Sequence, residues 1–177
     1  MEKVDSRGLT EQEFLICYAE KKYEKPSLTA DIVILAREQE SLYVLLVRRK
    51  NHPFLGCWAL PGGFASPRET IEETAARELE EETGLSGIPL IPVGLYSKPG
   101  RDPRGWVVSQ AYAALVQRET LQVQAGDDAG DARWFRIAGT GADLRLTEEQ
   151  EGFDPGTLAF DHEEILQKAL AKVHVVD

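Results

Sequence analysis

Gly63–Leu85, GFASPRETIEETAARELEEETGL, is the stretch whose reading decides the fold. Ser66 is a good N-cap, Pro67 suits a first helical position, and Glu69 follows Ser66 at capping-box spacing. The spacing predicts a helix over 67–83, stopped by Gly84. On a wheel of about 100° per residue, Ile71, Ala75 and Leu79 make one apolar stripe. Glu78 and Glu82 fall in the same half as that stripe, Glu81 lies on its flank, and Glu73 and Glu80 point away.

Glu78, Glu81 and Glu82 are therefore neighbours on the side that should face the protein. Like charges at that spacing repel, and the last of them sit at the negative end of the helix dipole. A solvated acidic face is the ordinary reading of such a run. The alternative is neutralisation by a hard, oxygen-seeking divalent cation, with Mg²⁺ the natural candidate.

Around this stretch the chain reads in order. Thr10 and Glu13 form another capping box, predicting a leading helix from Thr10 to about Tyr23; Phe14, Ile16, Cys17 and Tyr18 give it apolar surface with which to dock. Leu28–Ala36 and Leu42–Arg49 read as strands of a hairpin. Trp58–Gly63 is a short strand and a glycine turn that delivers the chain to the helix. Pro89–Ser97 is extended, Lys98–Gly105 is a basic proline loop, and Trp106–Val116 is a strand whose alternation predicts partial exposure. An acidic loop over 125–132, a short strand over 133–137, an irregular excursion over 138–156 and a closing helix from Leu158 to about Val173 complete the chain. Strands and helices in this order predict an α/β fold, a mixed sheet covered by helices on both faces. The expected division is a helical extension over 1–24 and a single domain over 25–177.

Composition narrows the function. Length, with 42% hydrophobic and 28% charged residues, is that of a soluble globular domain. No apolar run approaches the roughly 18 residues of a membrane span, and the first residues lack a secretory core, so no membrane association and a cytoplasmic location are expected. A net charge of −10 argues against unspecific nucleic-acid binding. It does not argue against a small phosphorylated ligand, since bound cations invert the local field. Cys17 and Cys57 are read as reduced structural thiols.

Gly63, five residues, Glu69, seven residues, then Arg77-Glu78-Leu79-Glu80-Glu81-Glu82-Thr83-Gly84-Leu85 resembles the Nudix box at every defining position. The resemblance implies an α/β/α sandwich and a hydrolase that cleaves a nucleoside diphosphate linked to another group with Mg²⁺ or Mn²⁺. It implies Glu78 and Glu82 as principal metal ligands, Glu81 as a further ligand or the water-activating base, and the Gly62 carbonyl as one more oxygen. Arg77 and Glu69 match positions that orient the ligands. A carboxylate from outside the box often completes such sites; Asp127, Asp128 and Asp131 are the candidates, with Asp128 favoured and Glu119 weaker.

Substrate choice lies outside the box. Arg101 and Arg104 can grip phosphate or ribose with planar forks. Trp58, Trp106 and Trp134 offer stacking faces, although strand aromatics are more often core. Tyr23–Ser27, RDPRGWVVSQAYA and AGDDAGDARWF look like the branch of the family that acts on ADP-ribose, a similarity over roughly residues 23 to 170. Pro99 stands 14 residues past Leu85, close to a proline about fifteen past the box in that branch. The expected partner is thus a small nucleotide, with hydrolysis of ADP-ribose to AMP and ribose 5-phosphate as the leading reading; a homodimer is left open. The alternatives are sanitation of oxidised nucleoside triphosphates and an ADP-ribose-sensing regulator without turnover. Regulators of that kind carry a DNA-binding winged helix after the domain. The intact box, the negative charge and the short stretch after Thr157 count against that reading.

Overall fold

Eight consecutive residues, Thr29–Ala36, are buried in the first strand, β1 (Ser27–Glu38). Burial on both faces requires a covered, central strand. In the computed structural model, which describes residues 3–117, 129–139, 141–148 and 156–173, β1 pairs antiparallel with β2 (Ser41–Arg49) through the predicted hairpin. Gln39 takes a positive φ of 52° at the turn. On its other side β1 runs parallel to β6 (Val107–Val116) along ten paired positions.

The other strands extend this centre. Two short ones, β3 (Trp58–Ala59) and β4 (Gly62–Phe64), pair with β2 and β1. Outward from them, β5 (Ile91–Tyr96) pairs with β6, β7 (Ala129–Ala138) with β2, and β8 (Arg145–Glu148) with β7. The described strands form one mixed sheet in the order β5-β6-β1-β2-β7-β8.

Alternation along β1 divides the core. Val33 and Leu35 point to one face, where they join Phe135 and the buried Ile165, Leu166, Ala169 and Leu170 of α3 (His162–Val173). Ala30, Ile32, Ile34 and Ala36 point to the other, against Ala75 and Leu79 of α2 (Ile71–Thr83). The result is the expected α/β/α sandwich.

Several local expectations are corrected. Helix α2 begins at Ile71 rather than Pro67, because Thr70 and Glu73 form the reciprocal box while Ser66 and Glu69 close a preceding turn. Gly84 ends it in the left-handed conformation, as predicted. Strand β6 is mostly buried, since it lies between β5 and β1. Residues 129–132 belong to β7, and the excursion after it contains a 3₁₀ turn (Gly141–Asp143) and β8. The leading helix, α1 (Glu11–Ala19), keeps its capping box but buries no residue. Phe14, Leu15, Ile16 and Tyr18 run around the helix instead of forming one stripe. Phe14 and Tyr18 stack on each other, and Tyr23 packs on Tyr18.

Candidate active site

The turn between β3 and α2 carries the site, and two glycines explain how it fits. Backbone bonds clamp it to β1: Ile32 N–H donates to the Pro61 carbonyl, and Ala65 N–H to that of Leu28. Gly62 has φ +150°, and a Cβ there would strike the Ala30 carbonyl oxygen. At Gly63 a Cβ would overlap the Glu78 carboxylate. Two consecutive glycines thus bring β4 against β1 and bring the α2 carboxylate down onto β4.

Arg77 organises the carboxylates. Its Nε and Nη2 donate to Glu69 at 3.2 and 3.1 Å, its Nη1 donates to Glu78 at 2.7 Å, and Nη2 also reaches the Phe64 carbonyl. Glu81 lies 3.4 Å from the same Nη1. The hydrogen bonds from Arg77, followed by that from Ser66 N–H, hold the Glu69 carboxyl down at about 2. Burial pushes Glu78 the other way, above the usual carboxylate range, in spite of Arg77. Glu69 is therefore the strut that fixes Arg77, and Glu78 carries a charge that its surroundings only partly meet.

Glu78, Glu81 and Glu82 line one cleft of about 610 Å³ together with Gly62 and Gly63. Glu81 is the exposed member, and Glu82 buries its Oε2. Three carboxylates and a glycine-rich backbone are hard oxygen donors of the type that Mg²⁺ and Mn²⁺ prefer. Among the described residues no three acidic, His or Cys side chains are already gathered as a ligand shell. The donor chemistry fits a divalent cation, and the desolvated Glu78 beside two further carboxylates gives that cation a reason to bind.

The Lys98–Gly105 loop and the start of α3 also line the cleft. Arg104 lies on the cleft, donates Nε and Nη2 to Asp102, and stands 4.8 Å over the Phe64 ring and 5.6 Å from that of Phe160. Arg101 also lines the cleft, yet its side chain is only 4% exposed. Its Nε and Nη2 form a fork on Asp161 at 2.8 and 2.6 Å, and Nη2 also meets Asp31 at 3.3 Å. Asp31 accepts from Ser109 Oγ at 2.6 Å. His162 Nδ1 accepts from Leu60 N–H at 2.8 Å, and its Nε2 stands 3.7 Å from Asp31. Burial depresses the His162 pKa, although Asp31 and Asp161 work to raise it.

The sequence-derived candidates therefore separate. Glu78, Glu81, Glu82, Gly62, Arg101 and Arg104 meet at one cleft. Trp58 packs edge-on against Phe135 in the core. Trp106 is 55% exposed and is not among the cleft-lining residues. Asp127, Asp128 and Glu119 lie outside the described residues. Asp131, on β7, pairs with Arg133. Sequence reasoning missed Asp31, His162, Phe64 and Phe160, all of which line the cleft. The signal for Asp31 was present: one acidic residue inside an apolar strand must find partners.

Comparison with known proteins agrees with this geometry. The NUDIX domain model matches residues 25–155. The ADP-ribose pyrophosphatase of Methanocaldococcus jannaschii is 42% identical over 147 residues, covering 82% of this chain and 73% of that protein. A MutT/nudix family protein from Enterococcus faecalis superposes with a TM-score of 0.79 at 40% identity, over 96% of this chain and 71% of that one. The NUDIX domain of Shewanella oneidensis NrtR, solved in complex with ADP ribose, gives 0.72 at 31% identity, over 93% and 99%. With the box, the sandwich and the carboxylate cleft in agreement, the chain belongs to the Nudix family.

Proposed function

We propose that this Nudix pyrophosphohydrolase hydrolyses ADP-ribose to AMP and ribose 5-phosphate with a divalent cation, Mg²⁺ first and Mn²⁺ as the alternative. The observation that carries the reading is the cleft itself: Glu78, Glu81 and Glu82 line it together with Arg104. Its volume of about 610 Å³ is in the range that encloses a nucleotide-sized ligand. The similarity to an ADP-ribose pyrophosphatase and to a domain solved with ADP ribose supports that choice of substrate.

Glu78, Glu82 and the Gly62 carbonyl would hold the metal, with Glu81 beside them. A bound divalent ion supplies neutralisation of pyrophosphate oxygens and acidification of water. In the reaction a water oxygen bonds to one phosphorus, the bridging P–O bond breaks, and the water proton passes to a base. Glu81, the most exposed of the three carboxylates, is that base. Arg104 takes the phosphate or ribose end, held in place by Asp102 and Phe64. Arg101 acts at one remove: its guanidinium is engaged by Asp161 and Asp31, so it positions the loop that presents Arg104.

Incubation with a panel of nucleotides in Mg²⁺ or Mn²⁺, read by release of phosphate monoesters, tests the proposal. ADP-ribose should be the best substrate. A preference for oxidised triphosphates would overturn the substrate. Tight ADP-ribose binding with no product would favour a second reading, ligand sensing, to which the likeness to NrtR lends support.

A further inference from the structure

A second cavity, of about 510 Å³, adjoins the catalytic cleft and shares Arg101 and Phe160 with it. Two of its features are unexplained by the hydrolytic site, and a third is shared with it through Phe160. Tyr96 is 6% exposed, and its hydroxyl is buried with no hydrogen-bond partner among the described residues. Burial and the nearby Glu164 raise its pKa to about 12, so the group remains an O–H donor at neutral pH. A buried hydroxyl without a partner costs stability that phenylalanine would not. Its retention points to a ligand.

Lys168 is the second feature. Its ammonium stands 5.5 Å from the centre of the Tyr96 ring. It also lies over Gly94, where an added Cβ would approach Nζ to 3.2 Å. Gly94 sits at the register shift of β5, so a missing side chain and a bulge together make room for a cation at this wall. Lys98 adds a further ammonium to the lining.

The third feature is the apolar wall. Phe54 and Phe160 both adopt left-handed backbone conformations, with φ of 58° and 55°, which bulky residues rarely do. Their ring centroids lie 4.7 Å apart. Glu164, on the same lining, supplies a carboxylate acceptor.

Cations and a hydroxyl donor suit a phosphate monoester, a carboxylate suits a ribose diol, and a paired aromatic wall suits a base. We propose that this cavity binds a nucleoside monophosphate, separately from the catalytic cleft. The choice of AMP as probe rests on the reading of the chain as an ADP-ribose hydrolase; the binding measurement itself requires no turnover.

AMP and adenosine are titrated calorimetrically into the full chain in chelator, where the carboxylate wall of the catalytic cleft disfavours anions. AMP should bind at least about tenfold more tightly than adenosine. Tyr96→Phe should weaken AMP roughly threefold to tenfold while leaving Tm unchanged or higher, and Lys168→Ala should weaken it by about tenfold. Arg104→Ala, which touches this cavity only through the shared Phe160, should weaken AMP less than Lys168→Ala does. The proposal is overturned if no AMP binding is found at millimolar concentration, or if adenosine binds equally well. It is also overturned if Arg104→Ala abolishes binding that Tyr96→Phe and Lys168→Ala retain.

Discussion

The Glu78 carboxylate rests so closely on the α-carbon of Gly63 that a methyl group there would overlap it. The overlapped atom belongs to a side chain, so Gly63→Ala should fold and displace Glu78. Activity at limiting Mg²⁺ should fall by roughly tenfold or more, the scale seen when a ligand's supporting shell is disturbed. Gly62→Ala should behave differently, because its Cβ would meet backbone, the Ala30 carbonyl, at φ +150°. Soluble yield and Tm separate the two: Gly62→Ala loses stability, whereas Gly63→Ala loses metal response.

Glu82→Gln should reduce kcat by more than about a hundredfold, beyond the usual loss from an outer-shell partner. The shape is retained and a charge is removed from beside Glu78 and Glu81, so Tm in metal-free buffer should be equal or higher. Near-normal turnover at saturating Mg²⁺ would remove Glu82 from the ligand set.

Arg101 and Arg104 are three residues apart and should give opposite phenotypes. Arg104→Ala should raise KM for ADP-ribose roughly tenfold with a smaller change in kcat, the signature of a lost charge-assisted hydrogen bond in binding. Arg101→Ala strips the buried partner from Asp161 and Asp31. Loss of one member of a buried ion pair costs about 3–5 kcal/mol, so its main effect should be a large drop in Tm. Wild-type Tm for Arg101→Ala would contradict the positioning role.

The buried His162 makes stability pH-dependent. Only the neutral ring can accept the Leu60 N–H at Nδ1, and burial lowers the folded pKa below the ordinary 6.5. The unfolded chain therefore binds the proton more readily. The His162 contribution is fully present above about pH 6.5 and is lost as pH falls from there through the folded pKa. Thermal denaturation should show Tm falling below pH 6.5, and His162→Gln should flatten that part of the profile, at lower overall stability. An unchanged slope in the variant would assign the acid sensitivity to other groups.

The box helix was legible because its information is local. The stripe at 71, 75 and 79 and the glutamates at 78, 81 and 82 follow from helical periodicity, and Ala75 and Leu79 are indeed buried. Its start was misplaced because two capping boxes lie four residues apart; Glu69 is drawn to Arg77 eight residues on, a contact that spacing alone does not predict. The rest of the cleft lining was only half legible. Arg101 and Arg104 look alike in sequence, and what distinguishes them is Asp161, 60 residues away. Phe64 and Phe160 reach the cleft through a close approach of β4 to β1 and a left-handed turn before α3, neither of which has a hydrophobic period. Trp58 and Trp106 drew notice for their chemistry, but Trp58 is buried in the core and Trp106 is exposed outside the cleft lining.

The parallel union of β1 and β6 sets an order on events during synthesis. Residues 27–36 need residues 107–116 as their neighbours, so most of the chain must leave the ribosome before that side of the central strand is covered. Until then an eight-residue stretch destined for complete burial has the hairpin partner and the short β4, but an open flank toward β6. Such a flank is a template for another nascent chain. The hydrolytic cleft, which takes Asp31 from one of these strands and relies on Ser109 of the other, is accordingly assembled late, and crowding of partly made chains is the condition under which this protein is most exposed to aggregation.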